Sequence, residues 1–126
     1  MGVHRDVEVT DAPGVDRPQV SQVFCSALPV AYSGLSPRRW APFAALILEA
    51  AYEATMWSAV LNAQRGASNI VLLTLLGGGA FGNDEDWICA ALRRALALTL
   101  HYDLDVRLVS YGVPSPATLS LVDEFR

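Results

Sequence analysis

The chain has 126 residues, 52% of them hydrophobic and 17% charged, and a formal net charge of −4. That length carries one domain, residues 1–126 with a core over 7–112 and a tail over 113–126, and that composition excludes a disordered chain. The negative charge disfavours nonspecific attraction to nucleic acid or to an anionic membrane, although main-chain amides can still hold a small anion.

The N-terminal MGVHRDVEVTD lacks an apolar signal core, and Glu49 and Glu53 interrupt the longest apolar stretch, Ala41 to Val60. A cytoplasmic protein without a membrane span is expected. Cys25 and Cys89 sit in apolar settings, and no Cys or His spacing resembles a zinc site, so two reduced thiols, no metal and no cofactor are expected.

Val3, Val7 and Val9 alternate crudely with Arg5, Asp6 and Glu8, which predicts a short, half-exposed strand over Val3 to Thr10. Asp11-Ala-Pro-Gly14 reads as a turn and Asp16-Arg-Pro18 as its continuing loop. Val20 to Val30 predicts a second strand, too continuously apolar for a one-sided sheet, which leaves the sheet at Pro29. Ser36-Pro37 starts a helix: a hydroxyl cap, then a proline whose missing amide costs nothing in the first turn. Trp40, Phe43, Ala44, Ile47, Ala51, Ala54, Thr55 and Ser58 recur at helical spacing, and Gly66 is the expected terminator after about Arg65.

Ile70 to Leu76, IVLLTLL, predicts a strand covered on both faces, hence parallel and central. Asp84 then caps a helix whose first turn holds Glu85 and Asp86, where the helix dipole favours them. Trp87, Ile88, Ala91, Leu92, Ala95 and Leu98 mark its buried stripe as far as His101. Asp105 to Tyr111 predicts the last strand, and the proline-punctuated tail has room for one helical turn near Leu119 to Phe125. The order predicts an α/β fold with two right-handed parallel crossovers, a three-layer α/β/α sandwich with a mostly parallel sheet.

Gly77-Gly78-Gly79-Ala80-Phe81-Gly82-Asn83 falls between a buried strand and a helix N-terminus, at the end of a parallel sheet where ligands bind. Glycines there let the main chain approach a ligand and aim several amides at phosphate oxygens. The alternative is a tight turn and nothing more. Gly77, Gly79 and Gly82 also satisfy the dinucleotide spacing, but Asp103 and Asp105 precede the next strand instead of ending it. No lysine follows the glycines, which excludes a Walker loop.

LLTLLGGGAFGND, Leu72 to Asp84, resembles the macrodomain segment in which a buried strand enters a small-residue turn and then Gly-hydrophobic-aromatic-Gly, here Gly79-Ala80-Phe81-Gly82. The flanks are similar too: VEVTDAPGVDRPQVSQVFCSALPV (Val7 to Val30), the helix from Pro37 and the strand DVRLVSYG fall in the family's order. The glycine triplet is similar to that of the poly(ADP-ribose) glycohydrolase branch, although Asn83-Asp84-Glu85-Asp86 follows it without that branch's glutamine. The resemblance covers the second part of a macrodomain. The family's first strand, helix and first glycine loop have no counterpart before Val3, so a complementing segment or a second copy is an expected partner.

The resemblance implies an ADP-ribose-binding module, with ADP-ribose or an ADP-ribosylated protein as its partner. Gly77, Gly78, Gly79, Ala80, Phe81, Gly82 and Asn83 are the implied ligand contacts, Phe81 lying against the distal ribose. Tyr111 is implied near the adenine. Phe81 as a core residue and Tyr111 as a merely packed one stay open. Hydrolysis would need an acid to activate water. Asp84 and Glu85 are the candidate catalytic residues, with helix capping as their other reading. An interaction subunit that assembles through its sheet edge and binds no ligand is the alternative function.

Overall fold

The computed structural model describes residues 1–9 and 17–126. The turn expected at Asp11–Gly14 and the start of the loop at Asp16 lie outside the described residues.

Strand β1 (Gly2–Glu8) pairs antiparallel with β2 (Gln19–Phe24). His4 to Val7 on β1 matches Gln22 to Val20 on β2, so β1 carries one extra residue, and Asp6 there takes φ 54°. A bulge of this kind re-aims a side chain. It turns the Asp6 carboxylate onto the Arg65 guanidinium at 3.0 and 2.5 Å, and that hydrogen-bonded cation holds the carboxyl below its usual range.

Helix α1 (Pro37–Gln64) starts behind Ser36, and Gly66 stops it at φ 79°. Strand β3 (Ile70–Thr74) pairs parallel with β4 (Asp105–Val109), from Ile70↔Asp105 to Thr74↔Val109. Helix α2 (Glu85–Thr99) makes the crossover between them. Buried Leu48, Tyr52 and Met56 of α1 meet Ile88, Ala91, Leu92 and Ala95 of α2 over Val71 and Leu73 of β3. By length and composition α1 could cross a membrane. Its inner stripe is instead core in this fold, and its Glu49 and Glu53 meet Arg94 of α2 at 3.7 and 2.5 Å.

Helix α3 (Pro116–Glu124) is longer than the single turn expected of the tail, and it is no appendage. Ser115 caps it by accepting from the Thr118 amide at 3.1 Å, and its Leu121 belongs to the core. Arg93 of α2 holds Glu124 at 2.8 Å.

Three expectations are corrected. The second strand ends at Phe24, not Val30, and pairs antiparallel with β1, so a single parallel crossover, through α2, joins strands among the described residues. Strand β3 is parallel but neither central nor covered on both faces: among the described residues it has one strand neighbour, and Ile70 and Leu72 face out at 47% and 65% exposure. The described residues are thus mixed α/β, with three α-helices and two small sheets, one of them parallel. Apolar patterning records a demand for cover. What supplies the cover is a matter of distant contacts.

Candidate functional site

The glycine loop begins where Tyr52 ends the strand. Its buried hydroxyl donates to the Thr74 carbonyl at 2.7 Å and accepts from the Leu76 amide at 2.8 Å, and burial pushes the phenol up to about 12. The chain then turns sharply at Gly77, φ 78°, where a Cβ would lie 2.4 Å from the Ala27 Cβ and 2.7 Å from the Asn83 amide nitrogen. Gly82 takes φ 67° with a Cβ position 2.8 Å from the Ala31 Cβ. Both glycines are required by the fold itself. Gly79 is different: it has no positive φ, and nothing lies within 4 Å of its would-be Cβ.

The segment after β2 locks the loop from the other side. Ala31 N–H donates to the Phe81 carbonyl at 2.9 Å. The Asn83 side-chain amide donates to the Leu28 carbonyl at 2.8 Å and more weakly to Gly77, while its main-chain N–H donates to the Gly77 carbonyl at 3.0 Å. Asn83, expected as a ligand contact, is a buried pin of the loop; its Oδ1 has no hydrogen-bond partner among the described residues.

The loop amides divide evenly. Those of Gly78, Gly82 and Asn83 donate within the loop or to Leu75, and that of Leu76 to Thr74 and Tyr52. Those of Gly77, Gly79, Ala80 and Phe81 have no acceptor among the described residues. Gly78, Gly79, Ala80 and Gly82 are exposed. The loop is a surface feature: among the described residues, none of Gly77 to Asn83 lines the cavity between α2, β4 and α3 or the one between β2 and β3.

Phe81 is half-buried against the core and meets exposed Tyr32 edge-on, ring centroids 6.2 Å apart. Sequence reasoning passed over Tyr32. The signal was Pro29, which delivers a short 3-10 turn, Val30–Tyr32, against the loop. Tyr111 follows β4 at the same end of the sheet as the loop and is fully exposed. It makes no ring contact with Phe81 or Tyr32.

The two candidate acids both have structural work. Asp84 Oδ1 accepts from the Asp86 amide at 2.9 Å and caps α2. Glu85 Oε1 accepts from Ser115 Oγ and, at 3.3 Å, from Thr118 Oγ1, tying α3 to the head of α2. Cys25 and Cys89 are free thiols, and burial pushes Cys89 up. Among the described residues no three His, Cys, Asp or Glu side chains gather as metal ligands.

The fold and site thus define an α/β chain with a glycine loop at the carboxyl end of a parallel strand pair. Comparison with protein-family models, with curated proteins and with solved structures finds no match.

Proposed function

We propose that the loop binds the diphosphate of ADP-ribose or a related nucleotide, as a macrodomain-like module of glycohydrolase descent working in the cytoplasm on free ADP-ribose or an ADP-ribosylated protein. The observation that carries this reading is the set of four unpaired amides, Gly77, Gly79, Ala80 and Phe81, at the carboxyl end of β3 and ahead of α2. Main-chain donors so placed stabilise an anion despite the acidic surface. Tyr32 and Phe81 supply aromatic surface for a ribose. Binding is favoured over hydrolysis because Asp84 and Glu85 are engaged as caps and pins.

Calorimetry with ADP-ribose tests the reading. Gly79→Glu puts a carboxylate over the free amides at a site with room for a side chain. Saturable heat from the wild type, abolished in Gly79→Glu at unchanged melting temperature, is the expected result. A folded wild type that releases no heat sinks it.

A second reading rests on the outer face of β3, where Ile70 and Leu72 are exposed opposite Asp105 and Arg107 of β4, with exposed Val109 opposite Thr74. On this reading the chain assembles through its sheet, and the three-layer sandwich is the assembled form.

A further inference from the structure

We propose that two copies of this chain pair through the outer face of α1, antiparallel about a two-fold axis at Ala50. The inference is independent of the glycine loop, and it uses a different face from the outer side of β3.

Helix α1 is apolar on both sides, and the fold covers only one. Buried Leu48, Tyr52 and Met56 point into the core with α2 and β3. Phe43, Leu46, Ala50 and Trp57 are all exposed. At about 100° per residue those four fall within a stripe roughly 60° wide on the far side of the helix. Only a third of the most apolar stretch of α1 is buried. A helix apolar all round belongs in a larger core than one copy of this chain provides.

Helix α2 widens the patch. Its Arg94 holds Glu53 of α1 at 2.5 Å, and Leu98, one turn further along, is exposed. Tyr102, just past the end of α2, meets Trp57 edge-on with ring centroids 5.7 Å apart. The exposed parts of Phe43, Leu46, Ala50, Trp57, Leu98 and Tyr102 come to roughly 500 Å², since a whole aromatic side chain presents about 200 Å². That is large for a free monomer. With the stems of Glu53 and Arg94 it approaches the roughly 800 Å² per partner of a stable interface.

The symmetry of the stripe points to its occupant. Phe43 and Trp57 lie equally far in sequence on either side of Ala50, about 10 Å along the axis. A copy turned antiparallel about Ala50 therefore sets Phe43 against Trp57 of the second copy at both ends, as an isologous contact requires. Ala50 at the crossing lets the two helices approach closely. The rings fill the wedges that open where crossed axes diverge. Charge selects the same arrangement. A parallel copy brings Glu53 level with its own counterpart, whereas the antiparallel one sets the two about 9 Å apart along the helix and each level with Ile47. A bilayer is the poorer cover, because Glu49, Glu53 and Arg94 lie beside the stripe and the net charge is −4.

Sedimentation equilibrium of the full chain tests the pairing. The wild type is expected to form a dimer with a micromolar or tighter dissociation constant. Ala50→Glu puts two carboxylates on the axis and keeps a good helix former at an exposed position. It is expected to weaken the dimer by roughly 100-fold or more with the circular dichroism spectrum unchanged. Leu46→Lys, one turn away, should weaken it by roughly tenfold. Leu72→Lys, on the outer face of β3, should leave it as it is. A folded wild type that stays monomeric at about 100 μM overturns the proposal. A dimer that resists both Ala50→Glu and Leu46→Lys overturns it too, and one dissolved by Leu72→Lys alone hands the contact to the sheet. A monomer that co-sediments with phosphatidylcholine–phosphatidylglycerol vesicles, and no longer does so as Ala50→Glu, gives the stripe to a bilayer instead.

Discussion

Along β3, Val71 and Leu73 are 6% and 3% exposed against the helices, whereas Leu72 between them is 65% exposed. The main chain is divided too: it is bonded to β4 along one edge and has no strand neighbour on the other among the described residues. One strand therefore has a finished side and an unfinished one, with nearly the same side chains on both. The finished side is what folding needs. The unfinished side adds little to the stability of the isolated chain and stays available for function. Replacing Leu92, fully buried where α2 meets α1 and β3, should separate the two most sharply. Leu92→Ala is expected to cost about 3–4 kcal/mol, and Leu72→Ala to stay within about 0.5 kcal/mol. Urea unfolding of both variants measures it. Comparable losses would mean that the outer face is covered in solution.

The glycine loop shows the same division on a smaller scale. Gly77 is locked by φ 78° and by the Ala27 Cβ, while Gly79 is free of both constraints. Gly77→Ala combines a left-handed non-glycine residue with a steric overlap, and about 3 kcal/mol of stability should be lost. Gly79→Ala should leave stability within about 0.5 kcal/mol. If the free amides meet a diphosphate, Gly79→Ala should still weaken ADP-ribose binding, because a methyl group intrudes where the ligand approaches. Equal melting temperatures with equal affinities would reduce Gly79 to a spacer.

Local signals placed most elements well, and distant ones did not. Ser36-Pro37 and Gly66 bracket α1 to within a residue, and Asp84 marks the start of α2, because caps and terminators act within one turn. Ser115-Pro116 repeats the cap-and-proline pattern of Ser36-Pro37, so the extent of α3 was legible and was underread. The end of β2 was not. The segment after Phe24 leaves the sheet because Ala27 packs under Gly77 and the Leu28 carbonyl receives Asn83, contacts that span fifty positions of sequence or more. In the candidate site, the need for glycine at positions 77 and 82 was visible as composition. The division of the amides, the burial of Asn83 and the placing of Tyr32 against Phe81 depend on that same segment folding back. A cavity of about 370 Å³ between α2, β4 and α3 is likewise invisible locally, since Leu96, Leu108 and Leu121 line it from three elements.

Tyr52 joins the two halves of the comparison, since it is a core residue whose hydroxyl fixes where β3 stops and the loop begins. Tyr52→Phe keeps the ring and removes the bridge, leaving the Leu76 amide with only its bond to Thr74; about 1–2 kcal/mol should be lost. The alkaline limb gives a sharper reading. The folded phenol sits at about 12 against 10.0 when unfolded, so between those values the unfolded state gives up its proton first. Stability from this group is complete below pH 10 and falls as pH rises toward 12, by roughly 2–3 kcal/mol in all. Urea unfolding between pH 9 and pH 12 should show wild type falling to the stability of Tyr52→Phe and then below it, the gap closing and reversing as the unfolded phenol ionises. Parallel limbs would place the Tyr52 hydroxyl in water, and β3 would then lose the contact that sets its end.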